Sequence, residues 1–178
     1  MITKHKSDFR KSCINRLKYK SRFAKIKKDK IIVDKLIKTI YTLKPKSLLV
    51  YIPMELEVNI FPLIKRLRRE KKIDIYVPYM EADSFKAVKY RLPLNRKKFG
   101  IKEPINSFFN RKIDVAIVPV VGIDGVYKRI GFGAGMYDRF FHRLNYKPTL
   151  IFTQIILCKT TEILSNDYDI QADYVITS

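Results

Sequence analysis

The sequence predicts an α/β fold, a single-domain three-layer sandwich in which a mainly parallel sheet is flanked by helices. Short runs of consecutive apolar residues, typical of strands buried on both faces, alternate with segments of helical periodicity. The 178 residues fit one domain, and no internal repeat or low-complexity linker divides them. We therefore treat residues 1–178 as one domain, with a basic helical segment of about residues 1–45 packed on it.

Two helices are predicted in the basic N-terminal segment. The first covers Lys4–Lys18, and the second must end before Pro45, because proline cannot continue a helix. The apolar stripe of the second helix follows the i, i+3, i+4, i+7 rule at Val33, Leu36, Ile37 and Ile40.

The next stretch predicts a strand, a helix and a second strand. Leu48–Ile52 is a short apolar run closed by Pro53, and Ile73–Val77 is another, which we expect Pro78 to end. Between them, Asn59 can cap a helix with Pro62 in its first turn. The buried stripe of that helix is Ile60, Leu63, Ile64 and Leu67.

The second half predicts further strands and one helix. A possible strand around Phe85–Leu92 is followed by a loop from Pro93 to Asn110. The remaining strands are Val115–Val118, Leu150–Phe152 and Tyr174–Thr177, and Met136–Leu144 is the best remaining helix. Because such sheets bind ligands outside the carboxyl ends of their strands, functional residues are expected just after Ile52, Val77 and Val118.

Composition narrows the class of protein. The apolar fraction is 47%, and no apolar run is long enough to cross a membrane. Cys13 and Cys158 lie far apart and match no metal spacing, so we expect reduced thiols in a cytoplasmic protein. The net charge of +20 fits an anionic small substrate, a lysine-rich composition or, as a less favoured interpretation, an RNA-binding N-terminal segment.

The most informative motif is a glycine loop at residues 129–139. It reads Arg129, Ile130, Gly131, Phe132, Gly133, Ala134, Gly135, Met136, Tyr137, Asp138 and Arg139. Alternate glycines let main-chain N–H groups converge, a following helix adds its positive end, and Arg129 can bind phosphate. The loop is neither a Walker A sequence nor a Rossmann fingerprint, and a turn without a ligand remains the alternative.

The loop resembles the signature of the 5-formyltetrahydrofolate cyclo-ligases, also called methenyltetrahydrofolate synthetases. Further matches follow in order, at residues 6–10 (KSDFR), 51–59 (YIPMELEVN), 100–104 (GIKEP), 118–124 (VPVVGID) and 172–177 (ADYVIT). The resemblance covers nearly the whole chain. It implies the ATP-dependent conversion of 5-formyltetrahydrofolate to 5,10-methenyltetrahydrofolate, with ADP and phosphate released.

The resemblance also implies roles for individual residues. It implies nucleotide contacts from Lys6, Arg10, Arg129, Ile130, Gly131, Phe132, Gly133, Ala134, Gly135, Met136 and Tyr137. It implies folate contacts from Ile52, Glu57 and Tyr137, and Mg²⁺ binding by Asp138 and Asp173. The expected partners are ATP and a reduced folate, including polyglutamylated forms. We expect the protein to be a monomer that binds neither membranes nor nucleic acids.

Two departures from the family pattern leave an alternative open. Met136 stands where many relatives have tyrosine, and Ala134 stands where some have lysine. A paralogue that binds nucleotide or folate with weakened turnover is therefore the second interpretation.

Overall fold

The structure, a computed structural model, describes residues 2–96, 102–107 and 112–178. Its four helices are α1 (Ile2–Ser21), α2 (Lys25–Leu43), α3 (Phe61–Glu70) and α4 (Met136–His142). The long strands are β1 (Ser47–Leu49), β2 (Asp74–Met80), β3 (Phe85–Lys89), β6 (Val115–Pro119), β9 (Thr149–Gln154) and β10 (Tyr174–Thr177). The two-residue strands are β4 (Asn95–Arg96), β5 (Lys102–Glu103), β7 (Gly122–Ile123) and β8 (Arg129–Ile130).

Six strands form one sheet in the order β10-β9-β6-β1-β2-β3. Every neighbouring pair is parallel except β2 and β3, which form an antiparallel hairpin at one edge. The prediction of a mainly parallel sheet flanked by helices is therefore confirmed.

The two faces of the sheet bury different side chains, because successive strand residues point to opposite sides. One face packs on α1, α2 and α3 and the other packs on α4. The first face includes Leu48, Ile117 and Ile151, and the second includes Leu49, Val118 and Phe152. This division produces the three layers.

The prediction that Pro78 ends the second strand was wrong, because β2 continues to Met80. Pro78 lies opposite Ala87 of β3, and the main-chain bond from Tyr90 N to Ile75 O places the bonded pairs at odd-numbered residues of β2. The nitrogen of Pro78 therefore points away from β3, on a side where β1 has already ended. A proline in that position interrupts no ladder hydrogen bond.

The other element boundaries differ only at their ends. The first strand ends at Leu49 rather than Ile52, since β1 pairs with β6 only through Leu48 and Leu49. The residues that follow leave the sheet and enter the site described below. The predicted loop at 93–110 contains the short β4–β5 hairpin, and Gly100 and Ile101 of the GIKEP match lie outside the described residues.

The two cysteines correct another expectation. Cys13 of α1 and Cys158, in the segment after β9, form a disulfide, so the prediction of two reduced thiols was wrong. Their separation of 145 residues hid the pairing from the sequence, because only the packing of α1 against the segment after β9 brings the two sulfurs together. None of the helices in the described part of the chain is long and apolar enough to cross a membrane.

Candidate active site

Two adjoining cavities open at the carboxyl edge of the sheet, after β1, β2 and β6. One, of about 190 Å³, is mainly apolar, and its wall includes Ile52, Glu57 and Tyr137. The other, of about 480 Å³, is strongly basic and is lined by Lys6, Arg10, Arg129, Gly131, Gly133, Gly135, Asp138, Arg139, His142, Arg143, Asn166, Tyr168 and Asp169. Arg129 and Gly135 line both, so the two cavities meet at these residues.

The glycine loop forms the wall between the two cavities. Phe132, Ala134 and Met136 line the apolar cavity, whereas Gly131 and Gly133 line the basic one and Gly135 lines both. Glycine is required because Gly133 has φ +113° and Gly135 has φ +63°, where L-residues are strained. The side chain of Ile130 is fully buried and lines neither cavity.

Gly131 is required for a steric reason. A Cβ atom at this position would lie 2.4 Å from Nη1 of Arg129. The loop can therefore pass close to the guanidinium only because Gly131 has no side chain.

Arg129 lies at the junction of the cavities and is itself 6% exposed. Its Nη1 pairs with Oδ2 of Asp138 at 3.0 Å, and its Nε donates to the carbonyl oxygen of Pro119 at 3.2 Å. The guanidinium carbon lies 5.0 Å from the ring centroid of Tyr137. Of the three guanidinium nitrogens of Arg129, Nη2 makes no hydrogen bond to any described residue, which leaves it for a ligand.

Helix α1 carries two cations to the basic cavity. Lys6 pairs with Oδ2 of Asp169 at 2.5 Å, and Nε of Arg10 donates to the carbonyl oxygen of Gly131 at 2.9 Å. The spacing of four residues places both on one face of the helix. The structure thus brings Lys6 and Arg10 together with the glycine loop.

The carboxylates at the basic cavity are Asp138 and Asp169. Asp173 lies elsewhere: its Oδ2 accepts a hydrogen bond from Leu150 N at 2.8 Å, near the start of β9 and hence at the amino edge of the sheet. Asp138 lines the basic cavity and Asp173 does not. The structure therefore separates the two aspartates that were expected to bind Mg²⁺ together.

The donor set at the cavity can be tested against Mg²⁺. Oδ1 of Asp138 accepts from Ile170 N at 3.3 Å and its Oδ2 pairs with Arg129. Oδ2 of Asp169 accepts from Asn166 N at 2.9 Å as well as from Lys6. No group of three or more potential metal-binding side chains exists in the described ranges. Two carboxylates beside a basic cavity fit an ion held mostly by phosphate oxygens and water rather than a protein cage.

Glu57 is the acidic group of the apolar cavity. It is 7% exposed, and its Oε2 accepts a hydrogen bond from Met54 N at 2.8 Å. Burial raises the pKa of Glu57 from 4.5 to about 7, although the Met54 N–H and the positive charges of Arg129 and Lys25 oppose the shift. Glu57 can therefore be either protonated or ionised near neutral pH.

Tyr137 lines the apolar cavity together with Glu57 and Arg129. Burial, with a further contribution from the charge of Glu57, raises the pKa of the Tyr137 hydroxyl far above its ordinary value, so this group stays protonated. Its ring packs edge-to-face on Phe85 at 5.0 Å between centroids. In the described part of the structure its hydroxyl makes no hydrogen bond, and Tyr137 lines the apolar cavity, so the hydroxyl can donate to a ligand bound there.

Six residues of the basic cavity were not predicted as site residues: Arg139, His142, Arg143, Asn166, Tyr168 and Asp169. Arg139 belongs to the loop motif, and its spacing of four from Arg143, the C-cap residue of α4, could have indicated that the two arginines lie together. Asp169 precedes the ADYVIT match by only a few residues, and nothing in its local sequence distinguishes it from Asp173.

Comparison with known proteins identifies the family of this chain. Residues 2–178 match the model of the 5-formyltetrahydrofolate cyclo-ligase family. A 5-formyltetrahydrofolate cyclo-ligase of Mycoplasma pneumoniae is 25% identical over 173 residues, which cover 96% of this chain and 97% of that protein. One from Haemophilus influenzae is 24% identical over 132 residues, which cover 69% of this chain and 70% of that protein.

Solved structures show the same fold. A 5,10-methenyltetrahydrofolate synthetase from Mycoplasma pneumoniae superposes with a TM-score of 0.76 at 22% identity, covering 96% of this chain and 97% of that one. The Aquifex aeolicus 5,10-methenyltetrahydrofolate synthetase gives a TM-score of 0.80 at 24% identity, covering 97% and 89%. With the family match over residues 2–178, the conclusion is that this chain belongs to the 5-formyltetrahydrofolate cyclo-ligase family of enzymes.

Proposed function

We propose that this protein uses ATP to convert 5-formyltetrahydrofolate to 5,10-methenyltetrahydrofolate, with release of ADP and phosphate. One observation carries the proposal: a basic cavity and an apolar cavity share Arg129 and Gly135 across the glycine loop. A triphosphate fits the chemistry of the first and a flat folate ring that of the second. The γ-phosphate of the triphosphate and the formyl group of the folate would then meet beside Arg129 and Gly135, which line both cavities.

The proposed reaction has two steps. The formyl oxygen attacks the γ-phosphorus, the bond to the β-phosphate oxygen breaks, and ADP leaves. The 10-nitrogen then attacks the formyl carbon, the carbon–oxygen bond breaks, phosphate leaves, and the proton of the 10-nitrogen passes to solvent. Positioning and charge neutralisation are the main catalytic requirements of phosphoryl transfer.

The residues of the basic cavity would bind the phosphates. Lys6 and Arg10 supply positive charge from α1, and the loop N–H groups and Nη2 of Arg129 supply donors from the opposite side. Asp138 and Asp169 are the residues that would hold Mg²⁺ brought with ATP, which neutralises phosphate charge when bound. We place Asp169 rather than Asp173 in this role because only Asp169 lines the cavity.

The residues of the apolar cavity would orient the folate. Glu57 presents a carboxyl group that can accept hydrogen bonds from pterin N–H groups, and Ile52 supplies apolar wall. The ring of Tyr137 packs against the guanidinium of Arg129, and its hydroxyl would donate to the formyl group bound in this cavity. Met136 lines the same cavity without a hydroxyl of its own.

The experiment is an absorbance measurement at the methenyltetrahydrofolate band. Protein, Mg²⁺, ATP and 5-formyltetrahydrofolate are mixed, and we expect an increase that requires ATP. Arg10→Ala should slow it at least tenfold, because a phosphate-binding cation is lost. The matched control is Lys11→Ala, since Lys11 is the adjacent cation on the exposed face of α1.

A flat trace from folded wild-type protein would contradict the proposal. Nucleotide binding without product would then support the paralogue with weakened turnover. If Arg10→Ala is as active as Lys11→Ala, the proposed reaction stands, but the claim that Arg10 and the basic cavity bind the phosphates of ATP is contradicted.

A further inference from the structure

The tip of the β2–β3 hairpin is fastened to α4 through Asp83. The carboxylate of Asp83 pairs with Arg143, through Oδ2 to Nη2 and through Oδ1 to Nη1 at 3.5 Å. The carbonyl oxygen of Asp83 accepts a hydrogen bond from Nε of Arg139. One hairpin residue therefore engages two arginines that line the basic cavity.

The contacts of Arg139 leave one nitrogen directed at the junction of the cavities. Besides the bond from Nε to Asp83, its Nη2 donates to the carbonyl oxygen of Ala134 at 2.6 Å. Its Nη1 has no partner among the described residues. A Cβ atom added to Gly135 would lie 2.9 Å from that Nη1, so the free nitrogen lies directly against the residue that borders both cavities.

The same hairpin also forms part of the apolar cavity. Met80 and Phe85, on either side of the tip, line that cavity. The hydroxyl of Ser84 donates to the carbonyl oxygen of Met136 at 3.2 Å, which joins the tip to the end of the glycine loop. The position of the tip therefore affects both cavities.

We propose that Asp83 is a positioning residue for the nucleotide, which orients Arg139 and Arg143 so that their free N–H groups face the triphosphate. The inference rests on the proposed function. Both side chains of the Asp83–Arg143 pair are more than half exposed, at 61% and 55%, so the pair contributes little to folding stability. Its effect lies in holding two long, rotamer-rich side chains in place before the anion binds, which lowers the entropy cost of binding.

The experiment is calorimetric titration with AMP-PNP and Mg²⁺, a non-hydrolysable probe that needs no turnover. We expect Asp83→Ala and Asp83→Asn to raise the Kd by about fivefold, the upper range for an exposed ion pair, because the carboxylate contact with Arg143 is lost while the main-chain bond to Arg139 remains. The melting temperature should stay at the wild-type value. In turnover assays KM for ATP should rise while kcat is kept.

The matched control is Glu81→Gln on the same hairpin. Glu81 pairs with Lys86 at 3.7 Å and not with α4, so this variant should bind AMP-PNP like wild type. Arg143→Ala should raise the Kd at least as much as Asp83→Ala does, because it removes a cavity-lining cation together with the ion pair. The double variant should bind no more weakly than Arg143→Ala alone, because the Asp83 carboxylate acts through Arg143.

A Kd within twofold of wild type in both Asp83 variants would overturn the inference while wild-type nucleotide binding still supports the proposed function. A loss of affinity accompanied by an equal loss in Glu81→Gln, or by a lower melting temperature, would also overturn it. Absence of AMP-PNP binding by wild-type protein would overturn this inference and the proposed function together.

Discussion

Arg129 and Asp138 form a buried ion pair at the junction of the two cavities, with 3.0 Å between Nη1 and Oδ2. Their side chains are 6% and 13% exposed. The sequence predicts the arginine as a phosphate ligand and the aspartate as a metal ligand, but each is also the main partner of the other. The pair therefore has a structural function in addition to any contact with substrate.

The first prediction concerns this pair. Asp138→Asn should lower the free energy of unfolding by about 3 kcal/mol, because it leaves the buried guanidinium of Arg129 without a counter-charge. The asparagine oxygen can still accept the hydrogen bond from Ile170 N. Urea denaturation of both proteins measures the difference.

A double-mutant cycle with Arg129→Met tests the cause. The double variant should be clearly more stable than the sum of the two single losses predicts, because removing both charges leaves neither one unpaired. Simple additivity would contradict a direct pair. The loss of stability also means that activity lost on replacing Asp138 is not by itself evidence of metal binding.

The second prediction is a pH dependence caused by Glu57. Its pKa is raised by burial from 4.5 to about 7, so between these values the folded protein binds a proton that the unfolded chain has released. The contribution of Glu57 to stability is therefore fully present below about pH 4.5 and is lost as the pH rises to about 7. The loss amounts to about 3 kcal/mol at 1.36 kcal/mol per pKa unit.

The measurement is the free energy of unfolding from pH 4 to pH 8. Glu57→Gln cannot titrate, so it should lack this decrease while other groups keep their contributions. If the free energy of unfolding changes with pH in the same way for wild type and for Glu57→Gln, the raised pKa of Glu57 is contradicted.

The third prediction compares a glycine of the loop, Gly133, with its neighbour Ala134. Gly133→Ala should destabilise the protein by about 1–2 kcal/mol, because L-alanine is strained at φ +113°. Steric overlap is not the cause, since the new Cβ would lie 3.9 Å from Arg10. The adjacent Ala134→Gly should change stability by only about 0.5 kcal/mol. Thermal unfolding compares them, and equal effects would disprove a special role for the glycine.

The fourth prediction concerns the Cys13–Cys158 disulfide. Among the described side chains of α1, only Cys13 and Leu17 are fully buried, and Phe9 and Ile14 pack on the core while partly exposed, so the disulfide adds a covalent link to a limited apolar contact. Reduction, or Cys13→Ser with Cys158→Ser, should lower the free energy of unfolding by about 2–4 kcal/mol. It should also weaken binding of AMP-PNP, because α1 carries Lys6 and Arg10.

Thiol titration and intact mass check the bond itself. Protein purified without reductant should have no reactive thiol and a mass lower by two hydrogens than the reduced form. Two titratable thiols in that protein would contradict the disulfide, and unchanged AMP-PNP affinity after reduction would contradict its role as a tether.

The sequence by itself determined the order of the helices and strands, the mainly parallel sheet and the glycine loop. These features depend on local patterns: apolar runs of strand length, helical spacing in α2 and α3, and glycines at alternate positions. The ordered motif matches also identified the family that the comparison with the family model confirms. Such patterns can be recognised in the sequence because they involve residues that are close together along the chain.

Only the tertiary structure decided which distant residues meet. It placed Asp169 at the basic cavity beside Asp138 and left Asp173 outside that cavity, although Asp169 and Asp173 lie only four residues apart in the sequence. It joined Cys13 to Cys158, and it placed Asp83 beside Arg139 and Arg143. Contacts across 50 to 150 residues depend on how strands and helices pack together, and local sequence patterns do not record that packing.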